Sequence, residues 1–190
     1  MRSLLQIYRD DSRLHWKRGS LFCDKEHPHG YISTFYEKAF AELADKEIVL
    51  LEAGILRGGS LLLWSKYFPK GIIYGIDIDD SLINKEVKRL DNVRIIIADV
   101  YNESTLELIP ECDIIIDDAL HTLESQEFVI RNYNKKLKPG GIMVIEDIGR
   151  PALYPLKEIA ISIGLTNITT FYRERPGNRR YDILMAIRKD

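Results

Sequence analysis

The sequence predicts an α/β fold: a doubly wound sheet of five parallel strands with helices on both faces, finished by an antiparallel hairpin. Three observations lead there. From residue 48 onward short β-branched runs alternate with longer amphipathic ones, the pattern of repeated strand–helix–strand units on a parallel sheet. The first run empties into a glycine-rich turn, Gly54-Ile55-Leu56-Arg57-Gly58-Gly59-Ser60. Two later runs, Ile114-Ile115-Ile116 and Ile142-Met143-Val144-Ile145, each end in adjacent carboxylates, Asp117-Asp118 and Glu146-Asp147.

Taken in order, residues 48–55, 72–78, 93–99, 113–118 and 142–148 read as strands buried on both faces, because they are apolar with little alternation. Between them, 60–67, 81–90, 104–109 and 122–137 read as helices. Lys138-Pro139-Gly140-Gly141 stops the last of these where the chain turns back into a strand. A further helix is expected over 155–163. Residues 166–175 and 181–188 alternate as strands around a Pro176-Gly177-Asn178 turn, hence the hairpin. Residues 1–47 differ: they are polar and aromatic, carry His15, His27 and His29, and contain a helical stretch over 34–44. The crevice of an open α/β sheet lies outside the carboxyl ends of its strands, and this segment is expected to fold over it as a lid. The 190 residues are read as one domain, 1–47 a lid and 48–190 the core.

Composition narrows the function. Lys and Arg number 27 against 29 Asp and Glu, a formal net charge of -2, so no global pull toward nucleic acid or anionic lipid is expected. Arg173, Arg175, Arg179 and Arg180 cluster at the hairpin loop, but no aromatic stacking platform accompanies them, and they read as a solvated loop. No apolar run approaches the ~20 residues of a membrane span. Cys23 and Cys112 form no motif and suit a reducing cytosol better than a disulfide framework. The expected location is cytoplasmic.

The spacing Glu-x-Gly-x-x-x-Gly-Gly over Glu52–59 lacks the glycine pattern of a dinucleotide site and the lysine of a P-loop, which disfavours an NAD-dependent oxidoreductase. An acid before the turn, Glu52, suits an amine-bearing ligand. Asp77 ends the second strand at the distance expected of an acid that accepts hydrogen bonds from ribose hydroxyls, and Asp99, ending the third, is placed for an adenine amino group. Gly54, Gly58 and Ser60 let a ligand approach the backbone and a helix N-terminus. If the fourth and fifth strands are neighbours, about 4.8 Å apart, then Asp118, His121, Glu146 and Asp147 meet at one rim. Such a rim holds a divalent metal beside a proton acceptor. Asp117 points to the opposite face of its strand and takes a structural or cofactor-side role. His27 and His29, with no thiol or further histidine nearby, are not read as a metal pair.

Glu52 to Gly58, Asp77 and Asp99 resemble the motifs of class I S-adenosylmethionine-dependent methyltransferases, with their Rossmann-like sheet. More narrowly, Asp24-Lys25, Tyr36-Glu37, Leu56-Arg57-Gly58-Gly59-Ser60, Tyr74-Gly75-Ile76-Asp77-Ile78-Asp79, Asp117-Asp118-x-x-His121, Leu137-Lys138-Pro139-Gly140-Gly141 and Val144-Ile145-Glu146-Asp147 resemble the metal-dependent branch containing macrolide-sugar O-methyltransferases and cephalosporin-modifying enzymes. The resemblance implies Asp118, Glu146 and Asp147 as metal ligands, His121 as general base beside Asp118, and Glu52, Gly54, Asp77 and Asp99 around S-adenosylmethionine. All-oxygen ligation selects Mg²⁺ or Mn²⁺ over zinc. The activity implied is O-methylation of a hydroxylated small molecule, a sugar or glycosylated natural product, with no nucleic-acid or membrane partner. Substrate pockets in so small a chain are often completed by a neighbouring subunit, so a homo-oligomer fits. The competing reading is a binding module that keeps the nucleoside site without turnover and supports a partner protein.

Overall fold

The computed structural model describes residues 2–15, 21–174 and 181–190. Seven strands form a single sheet in the order β3-β2-β1-β4-β5-β7-β6. β1 (Val49–Ala53), β2 (Ile72–Asp77), β3 (Val93–Ile97), β4 (Cys112–Asp117) and β5 (Leu137–Ile145) run parallel, whereas β6 (Asn167–Glu174) and β7 (Tyr181–Arg188) pair antiparallel. The chain moves outward from β1 through β2 to β3, then returns to place β4 on the other side of β1. A crevice opens at that reversal, beyond the carboxyl ends of β1 and β4.

Successive strand residues fall into two separate cores, as the two-residue period of a strand requires. Leu50, Ile114, Ile116, Ile142 and Val144 pack on the face that carries the N-terminal segment and α3 (Gly59–Tyr67). Leu51, Ile115, Met143 and Ile145 pack with Val129, Tyr133 and Leu156 of α4 (Leu123–Tyr133) and α5 (Arg150–Ser162). Because both faces are covered, the strands read as continuous apolar runs. α4 starts at a capping box in which Thr122 and Ser125 satisfy each other's backbone N–H groups.

The five parallel strands and the two terminal ones lie where the sequence places them; the helices differ more. The helix expected over 81–90 is reduced to one 3₁₀ turn, Val87–Arg89. Asp79 accepts the Ser81 N–H (2.8 Å) and Asn84 accepts the Glu86 N–H (2.8 Å), so local side chains take the donors a helix needs. The segment over 104–109 is likewise 3₁₀, Glu103–Leu108, capped by Asn102. α5 begins at Arg150, earlier than expected, since Pro151 is tolerated in a first turn where its missing N–H has no partner to lose. Leu137–141 belongs to β5: Gly140 and Gly141 exchange hydrogen bonds with Lys189 (2.8 and 3.0 Å) and lengthen the strand. The Pro176-Gly177-Asn178 turn, Arg175, Arg179 and Arg180 lie outside the described residues.

The N-terminal segment contributes α1 (Leu4–Asp10), which packs on α3, and a π-helical turn (Ile32–Tyr36) that runs into the short α2 (Glu37–Ala39). This replaces the helix expected over 34–44. Thr34 and Ser33 hydroxyls both bond back to the Gly30 carbonyl, and Tyr36 and Phe40 plug into an aromatic cluster with Trp64 and Phe68. Wide π turns concentrate at functional sites, and this one aims Tyr36 at the end of β5.

Candidate active site

The crevice holds a cavity of about 540 Å³. Its floor is the glycine turn after β1 and the residues that follow β2, β3 and β4: Gly54, Ile55, Ser60, Asp77, Asp99 and Asp118. Gly54 has φ +81°, and a side chain there would sit 2.3 Å from the Asp118 carbonyl oxygen, so only glycine lets β1 and β4 close at this end. Asp77 accepts the backbone N–H groups of Ile55 (3.0 Å) and Leu56 (2.9 Å) through one carboxylate oxygen, which pins the turn. Asp99 accepts the Tyr101 N–H (2.9 Å). Leu56, Ile78 and Leu120 form apolar walls, and Phe22, Cys23 and Asp24 close one side from the N-terminal segment. Phe22–24 approaches so closely that a side chain on Gly59 would meet the Phe22 carbonyl at 1.9 Å.

Of the residues expected around a cofactor, Gly54, Ser60, Asp77 and Asp99 line this cavity; Glu52, Gly58 and Asp117 lie behind its walls. Glu52 is fully buried and accepts from Ser60 Oγ (2.6 Å) and Trp64 Nε1 (3.2 Å). Gly58 caps α3 in the left-handed conformation. Asp117 is buried without a side-chain partner; burial first, then the neighbouring Asp118 charge, pushes its carboxyl up to about 7.

β4 and β5 pair in parallel with Asp117 opposite Ile145, and the Glu146 N–H bonds the Asp117 carbonyl (3.0 Å). The two acid pairs are therefore brought together, but each pair splits. Asp118 and Asp147 face the rim, where one donor atom from each of Asp118, His121 and Asp147 lies within 4.8 Å of the others. Glu146 turns into the core and gives both oxygens to Lys25 Nζ (2.9 and 3.0 Å) and one of them to the Tyr36 hydroxyl. Its backbone carbonyl is held by Gln126 of α4 (2.9 Å).

Lys25 is fully buried, and its ammonium also meets Glu52 Oε1 (2.9 Å) and Asp118 Oδ2 (2.9 Å). Burial opposes this charge, but the carboxylates of Asp118, Glu146 and Glu52 outweigh it and hold the lysine well above its usual pKa. Burial raises the carboxyl of Asp118 to about 7 against the pull of Lys25. Burial likewise pushes the Glu146 carboxyl well above the usual carboxylate range. His121 Nε2 lies 3.8 Å from Asp118 Oδ1, and burial lowers its pKa, which leaves a neutral imidazole able to accept a proton near pH 7.

Around Asp147, the Tyr31 hydroxyl donates to Oδ1 (2.6 Å) and His29 Nδ1 approaches it at 3.3 Å, while His29 Nε2 faces Asp24 (3.6 Å). From the sequence alone Lys25 and His29 take no site role, and Tyr31 and Tyr36 read as core aromatics rather than pocket lining. Asp24-Lys25 and Tyr36 did belong to the motifs of the resemblance, and that was the available signal. The four non-glycine residues with positive φ among the described ones are Phe22, Leu56, His121 and Asp147. All four border the cavity or the metal-competent cluster, and strain of ~1–3 kcal/mol each persists where the surroundings over-determine it.

A methyltransferase-domain family model matches residues 57–168. The chain is similar to the 8-demethyl-8-alpha-L-rhamnosyl tetracenomycin-C 2'-O-methyltransferase of Streptomyces olivaceus, 32% identical over 136 residues that make up 66% of this chain and 35% of that protein. It is also similar to the demethylmacrocin O-methyltransferase of Streptomyces fradiae, 33% identical over 129 residues, 62% of this chain and 32% of that one. The chain thus spans about a third of the length of these relatives. Its fold matches that of the MycE methyltransferase from the mycinamycin biosynthetic pathway, solved in complex with Mg and SAH, at a TM-score of 0.72 and 21% identity over 99% of this chain and 55% of that one. With the matched region covering more than half of its residues, the chain belongs to the methyltransferase-domain family.

Proposed function

We propose that the protein is a divalent-metal-dependent O-methyltransferase that uses S-adenosylmethionine to methylate a hydroxyl of a sugar or glycosylated natural product. One observation carries the reading: Asp118 belongs both to the wall of the nucleoside-sized cavity and to the Asp118–His121–Asp147 cluster, so a methyl donor and a metal-competent rim share a border. The names of the relatives, sugar O-methyltransferases of antibiotic pathways, support the acceptor class.

The donor set fits a hard divalent ion: the carboxylates of Asp118 and Asp147 converge with the His121 imidazole beside them as base rather than ligand, and His121 and Asp147 hold strained backbone to do so. Asp118 and Asp147 are the residues that would hold it. When bound, such an ion supplies positive charge that lowers the pKa of a substrate hydroxyl. His121, neutral at pH 7, takes the hydroxyl proton on Nε2 as the oxygen attacks the donor's methyl carbon, and the carbon–sulfur bond breaks with its electron pair left on sulfur. Asp77 and Asp99 accept from the nucleoside, and Leu56, Ile78 and Leu120 exclude water around it. Cys23 and Cys112 are both buried free thiols, in keeping with a reducing, cytoplasmic compartment. Among the described residues no helix is long and apolar enough to cross a membrane.

The test is calorimetric titration with S-adenosylhomocysteine in Mg²⁺ and again in chelator. Micromolar binding with a metal-dependent heat is expected; no binding in either buffer overturns the reading. Binding without metal dependence would favour the nucleoside-binding module.

A further inference from the structure

We propose that Arg173 anchors the methyl acceptor and that the acceptor carries a carboxylate, as a uronic-acid sugar does. The inference rests on the O-methyltransferase reading above and deepens it by naming the substrate class.

The sequence groups Arg173 with a solvated hairpin loop, but the structure sets it on β6, one residue short of the strand's end. β5 and β6 both pair antiparallel with β7, so they run the same way and Arg173 stands at the crevice end of the sheet. Its neighbour Tyr172 pairs with Ile183 of β7, whose carbonyl accepts the N–H of Ile148 (3.0 Å), the residue directly after Asp147. The N-terminal segment makes the same connection from above. Gly30, with φ +70°, passes so close that a side chain there would lie 1.5 Å from Nη1 and 2.4 Å from Cζ of Arg173, and its flanking residues His29 and Tyr31 both reach Asp147. Phe171, on the same face of β6 because strand residues alternate, packs on Phe35 with ring centroids 4.7 Å apart. The guanidinium is thus held in place beside the rim.

It is held there without a partner for one end of its fork. Nη1 is shut off from water and has no hydrogen-bond partner among the described residues. The Gly30 carbonyl already accepts from the Thr34 N–H (3.1 Å) and from the hydroxyls of Ser33 (3.3 Å) and Thr34 (2.7 Å). An arginine has five N–H donors, accepts nothing and does not lose its charge, and a donor buried without an acceptor weakens a fold. Stability alone favours an apolar residue at this position. Binding gives a reason for the arginine. Arg173 as a whole is only half-buried, and a guanidinium fixed against backbone takes a carboxylate through two parallel hydrogen bonds at little further loss of freedom. Arg173 is a specificity-determining residue in this scheme: it holds the acceptor and takes no part in methyl transfer.

The experiment is calorimetric titration of para-nitrophenyl glucuronide and, separately, para-nitrophenyl glucoside into the protein saturated with S-adenosylhomocysteine and Mg²⁺. The probes differ only by a carboxylate in place of a hydroxymethyl group. Wild type, Arg173→Gln and Arg173→Lys are compared, with folding checked by circular dichroism. The wild type is expected to bind the glucuronide at least about tenfold more tightly than the glucoside, the scale of one charge-assisted contact. Arg173→Gln is expected to lose that preference while binding the glucoside within about threefold of the wild type, and Arg173→Lys to keep only part of it, since lysine retains the charge without the fork. No preference in the wild type, or no binding of either probe, overturns the inference. A preference that survives Arg173→Gln also overturns it, because the carboxylate then binds elsewhere, the metal included. If Arg173→Gln fails to fold, Arg173→Lys decides: glucuronide affinity within about twofold of the wild type overturns the inference. Failure of S-adenosylhomocysteine itself to bind defeats the underlying reading, an outcome seen before either probe is added.

Discussion

The cavity floor after β1 and β2 and the acidic rim after β4 and β5 lie side by side, yet they are organised by different forces. At the first, backbone does the positioning: Asp77 is held by the N–H groups of Ile55 and Leu56, and Gly54 donates to the Ile76 carbonyl (2.9 Å). At the second, side chains do it: Lys25 draws Glu146 inward and bonds one oxygen of Asp118, while Tyr31 and His29 hold Asp147 at the rim. Backbone recognition is set by chain geometry and tolerates change in distant side chains. Charge sorting depends on each partner, because every ion in a buried cluster needs the others.

The sharpest way to break the comparison is at the acidic rim. Replacing His121 with Ala is expected to lower turnover by about 10² to 10⁴-fold while leaving S-adenosylhomocysteine affinity within a few fold, since His121 is not part of the cavity wall; single-turnover kinetics measures this, and a loss below tenfold removes its role as base. Next is Gly54→Ala, at the one point where the two rims touch. Its Cβ would meet the Asp118 carbonyl at 2.3 Å with φ +81°, so a stability loss of about 3 kcal/mol or more is expected by denaturant unfolding, with cofactor and metal affinity falling together.

Asp77→Asn probes the backbone-organised side and should weaken S-adenosylhomocysteine binding by about ten- to hundredfold, or ~1.4–2.7 kcal/mol, with metal affinity unchanged. Tyr36→Phe removes the hydroxyl that ties Glu146 and should cost about 1–2 kcal/mol of stability; an unaltered thermal midpoint would show that Lys25 alone holds Glu146 inward.

The smallest effect lies away from both rims. Asp11 accepts from Arg13 and Lys66, and these partners, Arg13 foremost, hold its carboxyl well below the usual range. A depressed folded pKa means the stabilisation is complete above the unfolded value near 3.9 and is lost as pH falls below it. Asp11→Asn should therefore cost about 1 kcal/mol at pH 7, with the difference from wild type shrinking between pH 4 and pH 2.

Much of this was legible in residue patterns. Five apolar runs, each ending in Gly or an acid, were enough for the parallel sheet, because strands buried on both faces can only be apolar throughout. Asp77, Asp99, Asp118, His121 and Asp147 could be read as site residues because each follows a strand, and strand ends in such sheets share one crevice. The fate of Glu146 was not legible. Adjacent acids beyond a strand look alike in sequence, and which one turns inward depends on what lies inside. Residues 21–36 were the least readable stretch, since their structure comes from long-range bonds to the sheet ends rather than from any local period.

By itself, then, the sequence determined the layered sheet, the crevice and the residues standing at its edge, because local hydrophobic period and turn chemistry act over a few residues. Only the tertiary structure decided how the acids there are divided. Lys25 and Glu146 lie far apart in the chain, and their attraction exists only once folding removes both from water and brings them within 2.9 Å.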